Sequence, residues 1–523
     1  MKILTVGLFA FAAAAHLPAA VFDVKTFGAK GDGETPARGA IEKAIEAAAA
    51  AGGGTVEFPP GTYVTGSIRL RSNITLHLES GAVIEASADT STYDLAEVNG
   101  SDMYQDSGHS HWHNSLIWGE NLENVAITGG GLISGKGLIR GERGPGGDKA
   151  IALKLSRNVT FRDFSIRNGG HFGILATGVD NLTIDHITID TNRDGIDLDS
   201  CRNVRISNSS INAPNDDAIT LKGTHALGYA RSSENITIVN SLVSGYDVGS
   251  LLDGTFKRTM EYAPDRDGPT GRIKIGTESE GDFKNIVISN VVFDRSRGLA
   301  LESVDGAHIE DIAVSNITMR QVYSAPFFLR LGSRMRAPKG VEIGSIRRVN
   351  ISDVVVYDAD PRYGSIVAGI PGHDVEDVKF NNIRIVCRGG LNLDQVAKQP
   401  AGLVNTFFFR AEGGVPPREP YATPEREKDY PEPSMFGLLP AWGFFIRHAK
   451  GIEFNNVDLS FLREDRRPAF VIDQAEAVEL NHVKLQRVAG VPSIVLLKVK
   501  DIRVSGGGSV PDVKVPVAAR KEL

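Results

Sequence analysis

The chain has 523 residues, 41% of them hydrophobic and 23% charged, with 57 glycines and a formal net charge of −7. This is the composition of a soluble globular protein long enough for a large core. The acidic balance and the lack of a long basic run argue against nucleic acid as a partner, while leaving room for a local basic site toward an acidic ligand.

Residues 1–20 read as a secretory signal: Lys2, an apolar run over residues 3–15, then small residues at Ala19-Ala20. Cleavage after Ala15 or Ala20 fits equally. The run is too short to span a bilayer and no later stretch is longer, so no membrane association is expected, and the location is secreted or periplasmic. The remainder, residues 21–523, reads as one domain. Its first helix is predicted over residues 37–51, where Ile41, Ala44, Ile45 and Ala48 recur at helical spacing before Gly52-Gly53-Gly54. Short strands follow from Thr55-Val56, and a helix at this point would cap the open edge of a solenoid.

A repeated phrase then dominates: a polar residue, Asn or Asp, and alternating apolar positions. It appears as Glu123-Asn124-Val125-Ala126-Ile127, Arg157-Asn158-Val159, Asp180-Asn181-Leu182, Arg202-Asn203-Val204, Glu234-Asn235-Ile236, Lys284-Asn285-Ile286 and Glu310-Asp311-Ile312. Steps such as 158→181→203 are 23 and 22 residues. Period-2 strands at that interval, without helices between them, predict an all-β fold, a parallel β-helix with an N-terminal capping helix. Asn tolerates left-handed backbone angles and can stack in ladders from coil to coil. Longer steps mark insertions at residues 99–113, 224–233, 255–270 and 389–443, the last a long irregular loop. Insertions on one face of a solenoid indicate where it binds. Cys201 and Cys387 are far apart and without metal-ligand spacing, so both are expected to be buried, free thiols.

The chemistry concentrates in Asn192-Arg193-Asp194-Gly195-Ile196-Asp197 and Asn215-Asp216-Asp217-Ala218-Ile219. Asp194 and Asp216 are 22 positions apart. One coil apart, they would lie side by side at roughly 4.8 Å. Asp216 and Asp217 must sit at a bend that lets both reach solvent, because a regular strand would send one into the core. Three crowded carboxylates raise at least one pKa, giving a protonated acid beside an ionised base, the pair that cleaves a glycosidic bond.

These two motifs resemble those of the polygalacturonase family, glycoside hydrolase family 28. Phe27-Gly28-Ala29-Lys30-Gly31-Asp32-Gly33 and Gly52-Gly53-Gly54-Thr55-Val56 support the resemblance, which covers most of residues 22–316. It implies a right-handed, single-stranded parallel β-helix and inverting hydrolysis of α-linked galacturonate in pectic polysaccharide or oligogalacturonides, with no metal or cofactor. By position, Asp216 would be the general acid, Asp194 and Asp217 would hold and deprotonate the attacking water, and Asn192 would touch substrate. The long loops suggest an exo mode, and a monomer is expected.

Two departures from the family stand out. Where the family has Gly-His-Gly, this chain has Gly245-Tyr246-Asp247-Val248-Gly249, leaving His225 or Asp247 as stand-ins. The family's Arg-Ile-Lys, which binds the substrate carboxylate, is matched literally by Arg272-Ile273-Lys274, making Arg272 and Lys274 expected substrate contacts. Yet Lys274-Ile275-Gly276-Thr277 also resembles the strand after the family's His. In that alignment the carboxylate-binding strand falls at the non-basic Gly298-Leu299-Ala300-Leu301-Glu302. Lys222 is a further candidate substrate contact, and His171, one coil before Asp194, could stack on a sugar. Two rivals remain: a Ca²⁺-dependent pectate lyase and a non-catalytic β-helical carbohydrate-binding protein.

Overall fold

The computed structural model describes residues 20–139, 144–261, 263 and 268–523. The signal sequence read at residues 1–20 therefore lies, apart from Ala20, outside the described residues. From Val21 to Ser505 nearly every strand pairs in parallel with its counterparts on the coils before and after, as a β-helix requires. At the C-terminal end Val513–Glu522 turns back and pairs antiparallel with the last coil strand, Ile494–Ser505, covering that edge.

The helix α1 (Arg38–Ala50) buries the four positions its spacing singled out, Ile41, Ala44, Ile45 and Ala48. It packs over Val21–Asp23, Gly54–Phe58 and Ile68–Arg69 and so closes the N-terminal end of the solenoid.

The repeated Asn works as its chemistry suggests. Asn124, Asn158, Asn181, Asn203, Asn235 and Asn285 all have φ between 54° and 58°, bending the chain between sheets. Each side-chain amide donates to the Asn one coil earlier, from Asn124 onto Asn73 through to Asn285 onto Asn235, at 2.8–3.3 Å.

Six strands carry the site: β1 (Phe172–Thr177), β2 (Asp194–Asp199), β3 (Ile219–Gly223), β4 (Ile273–Ser279), β5 (Leu299–Ser303) and β6 (Phe327–Leu331). They stack in that order. Ile196, Leu198, Ile219, Leu221, Ile273 and Ile275 point into the core. By alternation Asp197, Thr220, Lys222 and Lys274 face outward.

That outer face is covered all the same. Residues 99–113 lie across it: Gly108 sits against His171, His109 Nδ1 lies 3.7 Å from Asp197, and Asp106 pairs with Arg336 at 3.0 Å. The expectation of an irregular loop over residues 389–443 needs correcting. The segment contains α2 (Leu393–Lys398), started by a capping box between Asn392 and Gln395. It also has its own small core of Leu391, Val396, Val404, Phe409, Val415 and Leu438. Cys201 and Cys387 are buried and free. Among the described residues no helix is long and apolar enough to cross a membrane.

Candidate active site

Asp194, Asp216 and Asp217 converge: one carboxylate oxygen from each lies within 4.8 Å of the other two. The stacking differs by one residue from the 22-residue reading. Ile196 pairs with Ile219 and the Gly195 N–H donates to the Asp217 carbonyl, so the local step is 23 and Asp217, not Asp216, follows in line with Asp194. Asp216 enters from the turn between Asn212 and β3, where its N–H donates to the Ala213 carbonyl at 3.3 Å. A single donor ties the trio together: the Asp217 N–H donates to Asp194 Oδ1 at 3.0 Å and to Asp216 Oδ1 at 3.1 Å.

The bend exists, but it does not bring both acids to solvent. Asp194 and Asp216 are each 6% exposed, while Asp217 is 0%. Burying Asp217 alone would cost several kcal/mol. It is instead clamped between Arg272 Nε, at 2.6 Å from Oδ1, and Lys274 Nζ against Oδ2. Asp216 is paired with Arg193 at 2.6 Å. Asp194 has neither arrangement. Burial, then the Asp216, Asp197 and Asp217 charges, push its pKa well above the usual carboxylate value, and Lys222 offsets this only in part.

Strand pairing resolves the two alignments of Arg272-Ile273-Lys274. Lys274 pairs with Thr220 of β3, so this strand is the coil directly after the acids, and Gly298–Glu302 is the coil after that. Arg272 and Lys274 are 1% and 2% exposed. Their charges meet Asp217 and, through Arg272, Glu432 at 3.1 Å, so in this structure they brace the Asp217 carboxylate rather than line an open subsite. Neither proposed stand-in for the family His touches the acids. Asp247 accepts from the Thr259 and Met260 N–H groups within its own loop, and His225 contacts Glu280 and Tyr104. Arg272 occupies that neighbourhood instead.

Lys222 is buried and paired with Glu278 at 2.8 Å. His171 lies flat on Phe172, ring centroids 4.3 Å apart, under Gly108 and 3.6 Å from Asp148. It is packed and offers no face to a sugar. Asn192 is exposed. With Arg193, Lys136, Asn168 and Val248 it lines a cavity of about 340 Å³. Arg193 belongs both to the wall of this cavity and to the ion pair with Asp216.

Sequence reasoning gave no role to Arg193, Asp197, Glu302 or Glu432. The alternation around Ile196 and Leu198 could have turned Asp197 outward beside the trio, where burial raises its pKa to about 7 despite Lys222 and Lys274. Glu302 on β5 is likewise raised to about 7 by burial. No local signal marks Glu432, which bonds Arg297 at 2.8 Å and Arg272 from 135 and 160 residues away (432 − 297 and 432 − 272).

Comparison with known proteins agrees with this architecture. Residues 21–168 match the family described as rhamnogalacturonase A/epimerase, pectate lyase-like, and residues 121–259 match the right-handed β-helix region. A probable polygalacturonase of Vitis vinifera is 25% identical over 69% of this chain and 73% of its own length. An exo-poly-α-D-galacturonosidase of Dickeya chrysanthemi is 27% identical over 38% of this chain and 41% of its own length. Among solved structures, the Yersinia enterocolitica family 28 exopolygalacturonase superposes with a TM-score of 0.63 at 18% identity, covering 88% of this chain and 78% of that one. This last likeness bears on the fold, which is a right-handed parallel β-helix.

Proposed function

We propose that this chain, a right-handed β-helix of the polygalacturonase family, hydrolyses α-linked galacturonate in pectic polysaccharide by direct attack of water with inversion. One observation carries the reading: three carboxylates from two adjacent coils converge within 4.8 Å, and Arg193, the partner of Asp216, also lines a cavity with Lys136. Oxygens on Asp194 and Asp217 at this separation can share one water through two hydrogen bonds of about 2.7 Å each. Asp216, reaching in from the turn, protonates the glycosidic oxygen as the bond to the anomeric carbon breaks. The spacing is shorter than the roughly 6.5–9.5 Å usual for inverting pairs. A water held jointly by two acids, with a third as proton donor, does not need that wider gap.

The trio acts as one coupled titrating unit. With the proton on Asp216, Asp194 and Asp217 are the ionised base pair. Arg193 and Lys136, on the cavity wall, then meet the substrate carboxylate in place of Arg272 and Lys274. Arg193, Arg272 and Lys274 already neutralise Asp216 and Asp217 without a divalent cation.

The covered outer face leaves approach from the turn side and favours release of single units from a chain end. We take the enzyme to work as a secreted or periplasmic monomer. The test is digestion of a panel of pectic oligosaccharides, with products identified by mass. Monomeric galacturonate should dominate early; an early ladder of oligomers contradicts the exo mode, and no release from any galacturonide contradicts the activity.

A further inference from the structure

The turn that carries Asp216 belongs to a continuous row. Asn212 pairs with Ser244, Ser244 with Asp294, Asp294 with Arg320, Val322 with Ala359, Ala359 with Cys387, and Gly389 with Arg463. From the second coil beyond the acids to the sixth, that row borders a trough of about 690 Å³. Stacked strands repeat every ~4.8 Å, which puts the trough roughly 10–30 Å from the trio along the solenoid axis.

Its wall holds five arginines, Arg258, Arg295, Arg362, Arg388 and Arg463, around Tyr323. Three are paired with acids: Arg258 with Asp294, Arg362 with Asp360, and Arg388 with Asp358. Arg295 and Arg463 have no carboxylate partner among the described residues. Arg463 is exposed and donates to the Gly389 carbonyl at 3.3 Å. Arg295 is 4% exposed, donates to the Tyr323 hydroxyl at 2.7 Å, and keeps its buried Nε without an acceptor. The wall has two acids, Asp360, paired with Arg362, and the exposed Glu261. Two guanidinium groups lie over Tyr323, those of Arg295 at 5.1 Å and Arg388 at 5.9 Å from the ring centre. Planar guanidinium forks are matched to carboxylates, which they bind through paired N–H donors.

We propose that this trough is a second binding site for anionic polysaccharide. It takes the uronate carboxylates of the chain well away from the bond being cleaved and holds the polymer along the same row of turns as the acids. The inference rests on the hydrolase reading for its ligand, but not for its test. Full-length protein and an Arg388→Gln/Arg463→Gln variant, checked for an unchanged melting temperature, are titrated calorimetrically with a long de-esterified oligogalacturonide and its methyl-esterified form. Both proteins are also assayed on the trimer.

The variant should lose about tenfold in affinity for the de-esterified chain. Its kcat/KM on the trimer should stay within twofold of the parent. Equal binding of that chain by both proteins, or equal binding of both chains by the parent, overturns the trough. If the parent cleaves no galacturonide yet binds the de-esterified chain through these arginines, the trough stands and the hydrolase reading falls. If melting drops in the double variant, Tyr323→Leu is titrated in its place with the same expected loss.

Discussion

Asp194 Oδ1 accepts a hydrogen bond from the backbone N–H of Asp217 at 3.0 Å, so one coil's acid is positioned by the next coil's main chain. Asparagine at 194 keeps an oxygen to accept that bond but cannot take a proton from water. Asp194→Asn should therefore melt within a few degrees of the parent. Its kcat should fall about 10²–10⁴-fold, the usual contribution of a general base. Thermal melting together with steady-state kinetics checks this; a variant that keeps its activity removes Asp194 from the chemistry.

Arg193 bears on Asp216, the proposed proton donor. It pairs with Asp216 at 2.6 Å, and a cation favours the ionised form of its partner. Arg193→Gln takes that influence away, so Asp216 should keep its proton to higher pH. The alkaline limb of the kcat/KM profile, where the general acid is lost, should move upward. A limb that stays in place means the donor is a different carboxylate.

Lys274 and Arg272 separate two roles by two readouts. If they brace buried Asp217, Lys274→Met leaves an under-compensated buried charge and should destabilise the fold by roughly 3–5 kcal/mol, with kcat reduced. A substrate contact would instead raise KM and leave stability alone. Denaturant unfolding beside kinetics distinguishes them.

Buried acids also predict how stability responds to pH. Asp197 and Glu302 are raised by burial to about 7, and Glu280 to about 8. A carboxyl whose folded pKa is raised stabilises fully below its unfolded pKa, and that stability is lost as pH rises through the folded value. The buried His109, His111 and His171 are shifted down by burial and act in the opposite sense, but only below their unfolded pKa of 6.5. Between pH 6.5 and 8 the acids act alone, and the melting temperature should fall. Glu302→Gln removes one titration and should flatten that slope; an unchanged slope assigns the loss elsewhere.

Much of this was legible because its causes are local. The Asn of each repeat bends its own backbone at positive φ and bonds the next Asn through a side chain of fixed length, so a recurring phrase translates into stacked coils. The buried face of α1 follows from spacing alone. The acids were found for the same reason, yet the turn after Asn212 holds one residue more than even spacing allows, and this put Asp217 rather than Asp216 in line with Asp194. What stayed hidden depends on contacts between distant segments. Glu432 reaches Arg272 from a long insertion, and Asp106 meets Arg336 across the outer face. Those contacts cover the outer face, where His171, Arg272 and Lys274 are buried.

The most direct test follows the first product released from polygalacturonate by proton NMR, with and without chelator, using the parent and Asp216→Asn. A saturated sugar of inverted anomeric configuration is expected, unaffected by chelator and absent with the variant. An unsaturated, ultraviolet-absorbing product lost with chelator, or a product of retained configuration, would contradict it.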